Sequence, residues 1–467
     1  MKKIFVLLLS ASLLTGCNDF IDLNPVSQQS ADNFYRDKAE MEQALNAAYS
    51  ALQSTSQHGG IGFQSFMEVS SDNTWNTNTT QNGGAYAAFD NFVVDPTNTL
   101  VESTWVSCYD GIQKANIVLT RIASINSITE ENKKQIIGEA SFLRALTYFN
   151  MVRLWGGVPL ITEEVTDVNQ AFKHTRDTEE NVYNLIISDL KQAIENLPKS
   201  YEGDDIGRAT KGAAQTLLAK VYMTRKDWNS ALELLNSVIS SGTYELLPNF
   251  ADVFSTENKN NKESIFEVQF DKTIEGEGYY GGDPLQIGSD VNNLPSKNLI
   301  RLFEENPDDR KDATIKDMGV QGVRMYKWHD TKGENGGLGF DIIVLRYADV
   351  LLMASETMNE LEYGKPDALK YLNMVRERSH AKPYTYSDLP DKERFFKAID
   401  KERRLELAFE NQRWFDLVRT GQALDVLNKN DGSSMLKVNM DKHQLLFPIP
   451  QSEIDASGNE LKQNPDY

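Results

Sequence analysis

The chain has 467 residues, a formal net charge of −20 and a pI near 4.8. Such an acidic surface repels phosphate backbones and excludes nucleic acid as a partner. Aromatic residues make up 10% of the chain, which points to a folded body and excludes a disordered acidic one.

At the N-terminus, Lys2 and Lys3 precede an apolar run from Ile4 to Leu14. A membrane span needs about 20 apolar residues, so the run is too short to persist as one and reads as a signal peptide. The run closes on L-T-G-C, which resembles a bacterial lipobox and implies lipidation of Cys17 and removal of residues 1–16. Cys108 is the only other cysteine, so no internal disulfide is available and stability must come from the core. Residues 17–30 are polar, carry Pro25 and read as a tether between lipid and body. No later stretch is apolar enough to span a bilayer, so the lipid alone is expected to hold the protein at a membrane.

Residues 31–467 are predicted to form one body, because no Pro/Gly/Ser-rich linker interrupts them. Helical periodicity marks Lys38–Leu52, then Tyr109–Met151, where Gly156, Gly157 and Pro159 supply the stop. It returns over Glu179–Leu197 and Lys211–Ile239, and again over Tyr347–Arg378 and Phe395–Leu427. In "GAAQTLLAKVYMTRKDWNSALELLNSVIS", residues Leu218, Ala219, Tyr222, Ala231, Leu235 and Val238 keep tetratricopeptide spacing. Small residues at Ala219 and Ala231 let two antiparallel helices approach, although Gln215 replaces the usual Trp. A weaker copy follows in "LLMASETMNELEYGKPDALKYLNMVRERS", with Ala368 in the place of Ala231. The predicted fold is mainly α. A tetratricopeptide-type scaffold covers 31–53, 101–245 and 345–428, and a loop-rich half covers 54–100 and 250–345. That half carries strands at "SIFEVQF" and "VRMYKW", and its long loops, rich in aromatics and amides, are expected to bind ligand.

Catalytic signatures are sparse. The five histidines form no i, i+3 or i, i+4 pair, and neither H-E-x-x-H nor G-x-S-x-G occurs. "GEGYYG" at 276–281 fits G-x-G-x-x-G but runs into Gly-Asp-Pro where a phosphate cradle needs a helix. No metal or cofactor site is expected. A pair of glycosidase carboxylates need not be close in sequence, so a hydrolase stays open. The dense "DKERRLELAFENQRWFDLVRTG" reads as an amphipathic helix, with Leu405, Ala408, Phe409 and Leu417 inward and ion pairs outside.

Taken together, the lipobox at Cys17, "WVSCYDGIQKANIVL", "EASFLRALTYFNMVRLWGGVPL", "RATKGAAQTLLAKVYMTRKDWNSAL", "ESIFEVQF", "VLRYADVLLMASETMN", "LNMVRERS", "ERRLELAFENQRWFDLVR" and "LLFPIPQSEI…LKQNPDY" resemble the SusD/RagB family of outer-membrane nutrient-uptake lipoproteins. They span nearly the whole chain. The resemblance implies a surface lipoprotein, not an enzyme. It would capture glycan and cap a SusC-like TonB-dependent transporter, with oligopeptide capture as the RagB-like alternative. A purely structural lid is a further possibility.

The motifs narrow the ligand-binding candidates by subtraction. Trp105, Trp155, Trp228 and Trp414 lie in scaffold motifs and are expected in the core. Trp75, in the polar "SSDNTWNTNTT", and Trp328, beside His329, remain as stacking platforms. Tyr86, Tyr279 and Tyr280 are further candidates, and Asp72, Asn76 and His329 would pair sugar hydroxyls.

Overall fold

The computed structural model describes residues 34–76, 79–167, 174–280, 293–331, 333, 336–429 and 439–467. The predicted signal peptide, Cys17 and the tether lie outside the described residues. Among those residues no helix is long and apolar enough to cross a membrane.

The scaffold is a run of helices, each packed on the one before. They are α1 (Lys38–Ala51), α2 (Thr99–Arg121), α3 (Glu130–Trp155), α4 (Glu179–Asn196), α5 (Lys211–Thr224) and α6 (Trp228–Ser240). Short side chains set their starts: Asp37, Asn98, Thr129, Thr178, Thr210 and Asp227 each accept a backbone N–H of the first turn. The expected Tyr109–Met151 helix is therefore two helices, because the cap at Thr129 begins a new one. α3 ends where the sequence places its stop, with Gly156 at φ 73°. Ala219 and Ala231 are fully buried between α5 and α6, which pack as an antiparallel hairpin.

After the loop-rich half, which contains α7 (Lys297–Glu305), the scaffold resumes with α8 (Tyr347–Leu361), α9 (Pro366–Arg378), α10 (Lys392–Leu407) and α11 (Arg413–Arg419). α8 packs on α6, so the two helical blocks join across the inserted region. The strands are β1 (Thr74–Trp75), β2 (Ser264–Val268), β3 (Leu294–Pro295), β4 (Ile315–Asp317), β5 (Val323–Met325) and β6 (Ile342–Arg346). They pair antiparallel as β1–β3, β2–β6 and β4–β5.

Two expectations change. Residues 54–100 are not open loop. Phe63, Phe66 and Phe89 from this stretch are buried, and Phe66 lies edge-on to Phe89, Trp155 and Phe447. The charges of 402–416 are not outside. Glu402, Arg403, Arg404, Glu406, Glu410, Arg413 and Asp416 are all buried. Arg346 meets Glu263, Glu406 and Glu410 at 2.9, 2.7 and 2.7 Å. Arg310 binds Asp308, Glu402 and Glu406, and Arg378 binds Glu263 and Glu406. The physical reason is that a second layer covers α10: the loop-rich half supplies counter-charges to the face a lone helix would show to water. Burial opposes charge on Glu406, yet Arg378, Arg346 and Arg310 outweigh it and hold the carboxyl well below its usual range.

Candidate functional site

The candidate residues come from three distant stretches, 72–86, 279–280 and 328–329. β1 pairs with β3, and β3 also lies against β5, which pairs with β4. The segment ahead of β1 is gripped from below. Glu68 accepts N–H bonds from Phe409 at 2.9 Å and Asn411 at 3.1 Å, and one from Asn73 Nδ2 at 3.0 Å. Burial pushes its carboxyl up to about 7 despite those donors. Arg413 Nε donates to Asp72 at 2.7 Å, and Arg404 pairs with the same carboxylate. Burial opposes the charge of Asp72, but Arg404 and Arg413 prevail and bring it down to about 2. Asp72 is thus a structural counter-ion, which corrects its expected ligand role.

Trp75 is half-buried, and its Nε1–H donates to the Pro295 carbonyl at 3.1 Å. That bond fixes the indole on the strand pair. Its expected neighbours do not share its partial exposure, since Asn76 and Tyr86 are both buried. The backbone N–H of Asn76 donates to Asp90 at 3.1 Å, and burial raises the Asp90 carboxyl to about 7. Compact packing of 54–100 is what draws these two side chains inward.

The adjacent pairs Tyr279–Tyr280 and Trp328–His329 each split, one residue inward and one outward. Tyr279 is buried with its ring 5.4 Å from Phe270 and 4.7 Å from Phe340. Trp328 is 5% exposed, lies edge-on to Phe254 at 5.1 Å, and donates from Nε1 to the Phe409 carbonyl at 2.8 Å. Both expectations of a ligand role are corrected: these rings fill the core beneath the loops. Their neighbours face out. Tyr280 is 45% exposed, its ring seated where the backbones of Gly278 and Gly337 approach too closely to admit a Cβ. His329 is exposed and stacks on Tyr326, with ring centroids 3.7 Å apart and planes 16° apart. Its Nδ1–H donates to the Tyr326 carbonyl at 2.6 Å, which leaves Nε2 directed elsewhere. Lys316 Nζ stands 4.3 Å from the Tyr326 ring centroid. Tyr326 and Lys316 were missed by sequence reasoning; the only available signal was the i, i+3 spacing of Tyr326 and His329 in a turn.

Trp75, Tyr280 and His329 thus offer aromatic surface on strands and loops braced by buried ion pairs. Two carboxylates close to them in sequence, Asp72 and Asp330, are occupied. Asp330 accepts from Lys272 Nζ at 2.7 Å and from Gly339 N–H at 2.8 Å. Burial opposes its charge, but these donors win and lower its pKa. Neither Asp72 nor Asp330 is suited to act as a general acid near neutrality.

A SusD-like protein, P25, of Formosa agariphila is 30% identical over 500 residues, spanning 95% of this chain and 94% of its own length. The chain belongs to the SusD family. The model described as "SusD family" matches residues 242–467, and one described as "Starch-binding associating with outer membrane" matches 19–223. Among solved structures, a laminarin-binding SusD-like protein is 29% identical with a TM-score of 0.79, over 93% of this chain and 100% of its own. A SusD homolog from Bacteroides thetaiotaomicron is 25% identical with a TM-score of 0.81, over 94% of this chain and 99% of its own. This SusD-family fold is mainly helical, as the sequence predicts.

Proposed function

We propose that this protein is a non-enzymatic glycan-capture lipoprotein of the outer-membrane surface, anchored through Cys17, which delivers its ligand to a SusC-like TonB-dependent transporter and acts as its lid. The observation that carries the binding role is the outward placement of Trp75, Tyr280 and His329 over a rigid, ion-paired base. A pyranose stacks its C–H face on an aromatic ring, and the imidazole and nearby backbone can pair its hydroxyls. Laminarin binding by a 29%-identical relative supports glycan as the ligand class. The commitment of Asp72 and Asp330 to ion pairs supports binding over hydrolysis. The family description, with its association with the outer membrane, supports the location.

The test is a binding panel of laminarin, starch and mixed oligopeptides, scored for both affinity and released products. Glycan binding without new reducing ends is the expected result. Peptide binding alone would move the protein to the RagB-like reading, and released sugar would make it a hydrolase. Mild detergent extraction should bring down a TonB-dependent transporter in near-equal amount; recovery of this chain alone would refute the lid.

A further inference from the structure

A second concave surface lies on the scaffold. A cleft of about 370 Å³ runs between α2, the irregular segment 159–166 and the C-terminal residues 453–461. Its lining is chiefly apolar: Trp105, Val106, Ile112, Pro159, Ile161 and Leu461. Of its polar groups, Tyr109, Gln113 and Ser457 are occupied from within, and Thr166, His174 and Glu453 complete the lining. Tyr109 Oη donates to the Pro159 carbonyl at 2.9 Å, and Gln113 exchanges two 3.0 Å hydrogen bonds with the backbone of Val165. The wall presents more apolar than polar surface, and apolar side chains lose nothing by entering. Val106 is 50% exposed on the cleft wall.

The chain itself carries a segment suited to it. Residues 18–26 read NDFIDLNPV, so Phe20, Ile21 and Leu23 are apolar anchors within a polar run. The first described residues show where that segment joins the body. Tyr35 lies under Arg121, whose guanidinium is 4.6 Å from the ring, at the C-terminal end of α2. Arg121 also pairs with Glu164 at 2.6 Å, next to Val165 on the cleft wall. From Arg121 back to Tyr109, α2 rises only about 18 Å. The residues between Leu23 and Tyr35 extend up to about 40 Å, twice what is needed.

We propose that Phe20, Ile21 and Leu23 dock in the Trp105–Ile161–Leu461 cleft of the same chain. The docking needs only these residues; its consequence for anchoring rests on the lipid reading of Cys17. With Phe20 seated, only Asn18 and Asp19 separate Cys17 from the body. The tether shrinks to about 10 Å of free chain, and the scaffold end bearing the cleft is held against the membrane.

The test is disulfide trapping in the full-length protein in its native membrane. Leu23→Cys is combined with Val106→Cys on the cleft wall or, as control, with Val320→Cys at the fully exposed β4–β5 tip. Under mild oxidation the cleft pair should close within one chain at least tenfold faster than the control pair. Adding Phe20→Ser and Ile21→Ser should remove the difference. Equal rates for the two pairs, indifference to the serine changes, or a product joining two chains would overturn the proposal. Membrane fractionation of the same samples reads the anchor separately: rapid closure in a chain that washes off the membrane refutes lipidation and leaves docking standing.

Discussion

Trp328 and His329 are neighbours in sequence with opposite assignments, so substituting each to alanine tests the site directly. Trp328 is 5% exposed, packs against Phe254 and Phe340, and caps the Phe409 carbonyl. Removing a buried indole costs about 3–5 kcal/mol. The stranded Phe409 carbonyl adds about 1 kcal/mol or more. Against a total stability of about 5–15 kcal/mol, that is a large fraction. His329 is exposed, and its removal should change stability by no more than about 0.5 kcal/mol. If its ring stacks on sugar, its loss should weaken binding by about 1 kcal/mol, near fivefold. Urea unfolding gives the first quantity, and titration with laminarin gives the second. A Trp328→Ala variant as stable as the parent but fivefold weaker in binding would reverse the assignment and refute the inward–outward split.

If Trp75 stacks on the captured glycan, Trp75→Ala should weaken binding of that glycan fivefold or more while costing about 1–2 kcal/mol in urea, because the residue is half-buried and holds one hydrogen bond. Arg346→Leu should cost about 3–5 kcal/mol by leaving Glu263, Glu406 and Glu410 short of their counter-charge; an unchanged urea midpoint would refute the role of the buried cluster. Asp90 binds its proton more tightly folded, with a pKa of about 7, than unfolded, so it should make stability fall as pH rises from about 4 to about 7. Asp90→Asn should flatten that decline, by up to about 4 kcal/mol across the window, in urea midpoints taken at stepped pH.

The scaffold was legible because its signals are local. Thr178, Thr210 and Asp227 cap the helices they precede, and Gly156 ends α3. The facing of side chains was not. Tyr279 and Tyr280 read alike in sequence, and only the approach of Phe270 and Phe340 turns the first one inward. Glu406 and Arg404 read as solvent-facing because nothing near them in the chain shows that Arg346, Asp72 and Asn73 will cover them. Trp75 keeps intermediate exposure, in line with a polar stretch that offers its indole no helix face to fill.

The grip of residues 404–413 on residues 68–73 has a bearing on how the protein matures. Arg404 reaches Asn73, and Phe409 and Asn411 reach Glu68, across well over three hundred residues of chain. Loop closure over such a separation is slow, and a half-made cluster leaves charges without partners. The scaffold helices can form early from neighbouring segments, but the shelf beneath Trp75 must wait for the last quarter of the polypeptide. The support beneath Trp75 is therefore completed late: a chain cut short before Arg404 would keep much of its helix and lose the grip on residues 68–73.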